Sequence, residues 1–400
     1  MTTPFQRNVL LSACAIASFA FMAHAGAAIL PVGPGKAYPT PCRAFAAAVS
    51  GDTIEIAAAT YTGDVCAIYA PNLIIRGVNG RPRIDAGARN AMGKGTWVVV
   101  GNNVSIFNVE MLGAKVPDRN GAALRIEGTH FTLRNAFLHD NENGILTGAN
   151  LNSDILIENT EFGYNGNGTG QTHNLYIGNV RSLTFRYNFS HDAHVGHNLK
   201  SRARTNKILY NRFSSLRPGE SGSTAAGLPS YEIDLPNAGT AYVIGNVLQQ
   251  PASNNNAGMI AYGMEGASNP AHDLYVVNNT FLNDDTVRGT FVLVGTGVTK
   301  PVLLQNNIFA GIGSVSNSSK LVQKTNYRSI APGFVHRATY DLRPLAPNAL
   351  VIDAGSAPGY APSGVTLTPL AAYKHVARGS TRPVAGALEI GAYEASSPQP

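Results

Sequence analysis

Between Gly168 and Asn237 the chain concentrates residue types that could do chemistry. His173-Asn174-Leu175-Tyr176 is followed by His197-Asn198-Leu199-Lys200-Ser201-Arg202, and then by Tyr231-Glu232-Ile233-Asp234 with Asn237 close behind. Polar groups this dense are costly on a strand unless they are exposed or paired. If Leu175, Leu199 and Ile233 point inward at equivalent places on three stacked strands, alternation turns the flanking residues outward. Asn174, Asn198 and Glu232 then form one outer row, and Tyr176, Lys200 and Asp234 the neighbouring one, with Arg202 beside it. Stacked strands lie ~4.8 Å apart, so one substrate could touch all of these groups.

That set suits β-elimination from a uronic acid. The sugar carboxylate must be neutralised before the C5 proton can leave, and a base must take that proton. Glu232 and Asp234, helped by amides, could hold a hard cation such as calcium against the carboxylate. Lys200, with its pKa lowered by neighbouring positive charge, would be the base, and Arg202 would stabilise or protonate the leaving side. His173, His197 and Tyr231 complete the expected catalytic set at its edge. Asn174, Tyr176, Asn198 and Asn237 are the expected substrate-binding residues. A bland alternative is that Lys200 and Asp234 form only a cross-strand surface pair, which contributes little. His191 shares its frame with His139 (Phe-Ser-His-Asp against Phe-Leu-His-Asp), which marks both as turn residues.

The elements that must position these groups are read from a repeat. Two or three alternating apolar residues, a polar residue and an asparagine recur as Val104-Ser-Ile-Phe-Asn108, Phe131-Thr-Leu-Arg-Asn135 and Ile155-Leu-Ile-Glu-Asn159. The same frame returns at Leu183-Thr-Phe-Arg-Tyr187, Lys207-Ile-Leu-Tyr-Asn211, Tyr242-Val-Ile-Gly-Asn246, Tyr275-Val-Val-Asn278 and Val302-Leu-Leu-Gln-Asn306. The positions advance by 27, 24, 28, 24, 35, 32 and 28 residues, a spacing that indicates a stacked solenoid. Asparagine tolerates a left-handed bend, and its amide can bond the amide one coil on. The longer intervals imply loops thrown out from the scaffold, such as Leu216 to Leu228, where binding tends to sit.

With 44% hydrophobic and 14% charged residues, the chain is not disordered. Its 42 glycines and scarce helical periodicity fit many short strands joined by tight turns. The expectation is an all-β, single-domain right-handed parallel β-helix of nine or ten coils. Residues 1–25 read as a signal peptide: a basic start with Arg7, the apolar run Val9 to Met22, and Ala23-His24-Ala25 with cleavage after Ala25. The run is shorter than the ~20 apolar residues of a membrane span, so the product is expected to be secreted or periplasmic. Within 26–400, residues 26–70 read as an N-terminal cap, with a short helix near Thr40 to Ser50, and the first coil. Residues 341–400 read as the last coils and a C-terminal cap over the open end of the core. Cys42 and Cys66 remain after export and should pair in an oxidising compartment.

The net charge of +6, with no lysine-arginine run, argues for an acidic polymer partner and against nucleic acid. A monomer is expected. The asparagine ladder, the opening Gly51-Asp-Thr-Ile-Glu-Ile with Tyr61-Thr-Gly-Asp, and the closing Ile390-Gly-Ala-Tyr-Glu resemble the pectate-lyase-like right-handed parallel β-helix superfamily. The Gly168–Asn237 cluster resembles the calcium-dependent alginate and dermatan lyases of that fold. Those families usually place their lysine and arginine on different coils, whereas Lys200 and Arg202 share one strand. The resemblance implies a secreted carbohydrate-active protein, a polysaccharide lyase acting on a uronate polymer. The fold also hosts other chemistries. A glycoside hydrolase using two of Asp192, Glu232 and Asp234, a C5-epimerase, and a non-catalytic glycan-binding β-helix stay open.

Overall fold

The structure is a computed structural model that describes residues 26–214, 228–252, 254–383 and 385–398, together with Met1. The signal segment, its cleavage point at Ala25 and the loop from Leu216 up to Gly227 lie outside the described residues.

Short apolar runs punctuated by glycine and asparagine fold into three parallel sheets, wound as a right-handed β-helix. Sheet A has 12 strands, from Ile29–Val32 to Leu321–Lys324; sheet B has 11, from Thr60–Thr62 to Tyr327–Ser329. Sheet C has 10, from Cys66–Ile68 to Ser314–Ser316. The extra coils beyond the expected nine or ten lie at the two ends, where the asparagine signal is missing. Inward residues stack in register, so that on sheet A one fully buried column runs from Ile54 through Ile106 and Phe185 to Leu304. Truncating such a column, for instance Phe185→Ala, removes ~3–5 kcal/mol.

The bend between sheets A and B carries the repeat asparagines in two adjacent rows rather than one. Asn108, Asn135, Asn159, Asn278 and Asn306 hold the left-handed position, with φ between 51° and 56°. Tyr187, Tyr210 and Gly245 hold the same position on the intervening coils. Asn211 and Asn246 therefore sit one residue further on, inside, in a ladder from Asn188 to Asn326. Each Nδ2 in that ladder donates to the next Oδ1, as Asn211 does to Asn246 at 2.9 Å and Asn246 to Asn279 at 3.0 Å.

At the N-terminal end, the helix Pro41–Ala47 lays Phe45 edge-on against Trp97, with ring centroids 5.0 Å apart. A Cys42–Cys66 disulfide ties this cap to sheet C, the Cα atoms 5.9 Å apart. The other end departs from expectation. Residues 345–398 do not close the end of the core; they run back along the outside of sheet B and the A–B bend. Val351, Ile390 and Tyr393 pack on Val247, Leu282 and Ile308, while Leu367 and Ala371 pack on Tyr210 and Tyr242. The arm reaches back as far as Asn159, whose Nδ2 donates to the Ala377 carbonyl at 3.3 Å. The reason lies in the strands: Val247 and Leu248, like Ile308, Phe309 and Ala310, put apolar side chains on both faces, and an exposed outer face would leave that surface in water. Among the described residues the arm does not pack on sheet C, and the polar cluster lies on that sheet's outer face.

Candidate functional site

Three short strands of sheet C, Leu175–Ile177, Lys200–Ser201 and Ile233–Leu235, pair in parallel. Tyr176 stands opposite Lys200, and Lys200 opposite Asp234. This is the register expected from the alternation, because Leu175, Leu199 and Ile233 are all fully buried. Lys200 Nζ lies 3.0 Å from Asp234 Oδ2 and donates to Glu265 Oε1 at 2.7 Å. The Arg202 Nε donates to the Tyr176 hydroxyl at 2.8 Å. Its two Nη atoms donate to the side-chain Oδ1 of Asn237 and to Glu265 Oε2. Asn237 in turn donates to Ser268 Oγ at 2.8 Å. Two cations on one strand thus clasp a single carboxylate.

That carboxylate, Glu265, was not among the expected residues. It sits on the turn after the strand Gly258–Tyr262, flanked by Gly263 and Gly266, whose φ values of 70° and 103° belong to glycine. Its signal was an acidic residue between two glycines, one coil beyond Asp234. Burial would raise its pKa, but hydrogen bonds from Lys200 and Arg202 outweigh that and hold it below the usual range.

The electrostatics correct the role expected for Lys200. Burial pulls its pKa down, yet the Asp234 charge and the bonds to Glu265 and Asp234 together hold the ammonium above its ordinary value. The ammonium form is favoured in this setting. Asp234 moves the other way: burial pushes it up to about 6, against the pull of Lys200.

His173, His197 and Tyr231 form a stack at the edge of the patch. The two imidazoles lie 4.7 Å apart at 7°, and His197 stacks on Tyr231 at 5.1 Å. Each Nδ1 accepts a backbone N–H from the next coil, His197 onto His173 and Tyr231 onto His197, both at 3.0 Å. The proton of each neutral ring must then be on Nε2. Burial, then the charge of Lys200, drives His173 down to about 3. Burial and the neighbouring His173 take His197 well below its normal value. Both rings are held neutral, with Nδ1 engaged by a backbone N–H. His197 instead directs Nε2 at Asp234 Oδ2, 3.4 Å away. Tyr231 is half-buried, and burial raises its phenol.

Asn174, Asn198 and Glu232 do not form an outer row. All three are fully buried and continue an interior ladder at the B–C bend. Asn165 Nδ2 donates to Asn174, Asn174 to Asn198 at 2.8 Å, and Asn198 to Glu232 Oε2 at 2.6 Å. These residues precede the strands, where the turning backbone sends the side chain inward; Asn174 also donates to the His191 carbonyl at 2.7 Å. Asn174 and Asn198 therefore cannot contact substrate. Burial pushes Glu232 up to about 8, which leaves it a neutral acid near pH 7, and its Oε1 has no partner among the described residues. The expected pair Glu232 and Asp234 consequently fits neither a calcium site nor a hydrolase dyad, because the two carboxyls open on opposite sides of the sheet. Asp234 and Glu265 are each already paired with a cation. Among the described residues no three acidic, histidine or cysteine side chains converge as a metal site. Asp192 lies away from this patch, bonded to His191 Nδ1 at 2.7 Å; His191 shares a row with His139, but both end strands of sheet B, Phe189–His191 and Phe137–His139, rather than sitting in turns as expected.

No known protein-family profile matches this chain, and no curated protein sequence matches it. Among solved structures, pectate lyase Pel9A superposes with a TM-score of 0.62 at 16% identity, over 92% of this chain and 97% of that one. The likeness establishes the fold as the pectate-lyase-like β-helix. A protein of Geobacillus virus E2, ORF18, aligns with a TM-score of 0.43 at 15% identity, over 72% of this chain and 56% of that one. The PL6 family alginate lyase AlyGC aligns with a TM-score of 0.37 at 12% identity, over 75% of this chain and 53% of its own. This chain thus spans only about half the length of those two. No helix among the described residues is long and apolar enough to cross a membrane.

Proposed function

We propose that this is an exported polysaccharide lyase that cleaves a uronate-containing polysaccharide by β-elimination on the outer face of sheet C. The observation that carries the reading is the clasp of Glu265 by Lys200 and Arg202, which is a carboxylate site made of two cations. A uronate carboxylate has the same shape and charge as Glu265 and takes its place, since Arg presents a fork suited to carboxylates. Once that carboxylate is neutralised, the C5 proton is acidic enough to leave. Asp234, with a pKa of about 6, is an acceptor matched to neutral pH. The electron pair left at C5 forms the C4–C5 double bond as the C4–O4 bond breaks. Tyr176 delivers its phenolic proton to O4, and the guanidinium at its oxygen stabilises the phenolate that remains. Lys200 keeps its charge throughout and acts as a carboxylate clamp rather than the base.

The Pel9A-like fold and the excess of basic residues support an acidic polymer as partner. The N-terminal apolar segment supports export, and the product is read as a secreted or periplasmic monomer. Purified protein incubated with polygalacturonate, alginate and dermatan should generate ultraviolet absorbance from the unsaturated product on one of them. Reducing ends without that absorbance would mean hydrolysis, with Asp234 and Glu265 as the acid and base, and would overturn the elimination reading.

A further inference from the structure

On the opposite flank, where the tip of the returning arm meets the A–B bend, a cavity of about 490 Å³ is lined by Arg81, Arg134, Arg378, Asn135, Asn159 and Glu161. Its charges do not cancel. Arg134 Nε lies 2.6 Å from Glu158, but Glu158 is shared with Arg186. Glu161 lies 3.3 Å from His191 Nε2, between the cavity and the buried ring. Among the described residues Arg81 donates only to the carbonyl and side-chain oxygens of Asn135. The Arg378 guanidinium has no partner among the described residues and stands exposed at the start of the strand Arg378–Thr381, which pairs antiparallel with Ala371–Lys374. Three guanidiniums therefore converge on one concavity, with nearby carboxylates already engaged elsewhere. Like charges gathered this way are unfavourable until an anion enters.

We propose that this cavity is a second, non-catalytic site for an anionic sugar, with Arg378, Arg81 and Arg134 holding a carboxylate or sulfate ester on one or two rings. The volume suits a ligand of that size, and guanidiniums grip planar oxyanions through paired N–H groups. Asn135 and Asn159 supply amide groups of the kind that bind sugar hydroxyls. The site is not part of the sheet C patch, and it shares with the lyase reading only the acidic character of the partner. It would hold a polymer chain on one flank while another segment is cleaved on the other.

The test is calorimetric titration of the full-length Asp234→Asn protein with two probes, tri-galacturonate and a sulfated heparin disaccharide. The two arms separate carboxylate from sulfate recognition. Arg378→Ala in that background should remove one equivalent of bound sugar, and Arg378→Lys should restore it with at least tenfold weaker affinity. Arg378 is exposed, so the variant should melt as the parent does. An unchanged number of bound equivalents in Arg378→Ala, or no bound sugar in the parent with either probe, would overturn the proposal. Binding of single-stranded DNA in place of both sugars would overturn the ligand class. The unsaturated-product assay reads the catalytic patch independently, so failure of one site does not mask the other.

Discussion

Two polar rows run across the same three coils of this protein, only two residues apart in sequence, and they behave oppositely. The inner row, Asn174, Asn198 and Glu232, is fully buried and hydrogen-bonded end to end. The outer row, Tyr176, Lys200 and Asp234, lies on the other side of sheet C; Lys200 and Asp234 are largely buried there too, but as an ion pair rather than an amide stack. An amide has both donor and acceptor, so a stack of amides satisfies itself and holds the coils together. A row of a phenol, an ammonium and a carboxylate cannot repeat itself in this way, and it borrows Glu265 to balance its charge. A self-complementary row is structural; a row that needs an outside carboxylate is poised for a ligand.

The sharpest way to break this contrast is Asp234→Asn. If the outer row is chemical, turnover should fall by ~10²–10⁴-fold while the melting temperature barely moves, and Tyr176→Phe should do the same. In the wild type, kcat/KM should rise with pH through about 6, because Asp234 must be ionised to accept a proton. A flat profile across pH 5–7 would remove Asp234 from the chemistry. The inner row predicts the reverse pattern. Asn198→Leu leaves Asn174 and Glu232 without their partner and should lower stability by about 2–4 kcal/mol in denaturant titration.

Smaller effects sharpen the division further. Lys200→Met and Arg202→Gln should each raise KM for the acidic polymer by about tenfold or more, by loss of one charged contact. KM values unchanged from the wild type in both variants would mean that the clamp does not bind the substrate carboxylate. Glu265→Gln should lower KM a few-fold, since the competing carboxylate is gone. The smallest effect concerns Glu232. Its folded pKa of about 8 lies above the usual carboxyl value, so the stability it contributes is complete at low pH and is lost as pH rises toward 8. Glu232→Gln should flatten the fall in melting temperature between pH 5 and pH 8.5. An unchanged slope would show that Glu232 is ionised or solvated.

Much of this was legible in the chain itself. The recurring asparagines gave away the coils, and the alternation around Leu175, Leu199 and Ile233 placed Tyr176, Lys200 and Asp234 in one row. Strand alternation is local, and parallel stacking at a constant spacing propagates it from coil to coil. The cysteine pair was likewise readable as a pattern. What failed was read at the bends. Asn174, Asn198 and Glu232 lie just before their strands, where the side chain follows the turning backbone and the unbonded carbonyls beside it, not the alternation. Asn211 and Asn246 slipped one residue for the same reason, because Tyr210 and Gly245 can also hold the left-handed position. Glu265 comes from a turn one coil away, and the arm from 345 to 398 is directed by strands far earlier in the chain, Val247–Gln250 and Ile308–Ala310. Such contacts, and the charges that make Lys200 a clamp and Asp234 the acceptor, depend on which groups share a low-dielectric space. Only the folded coil stack decides that.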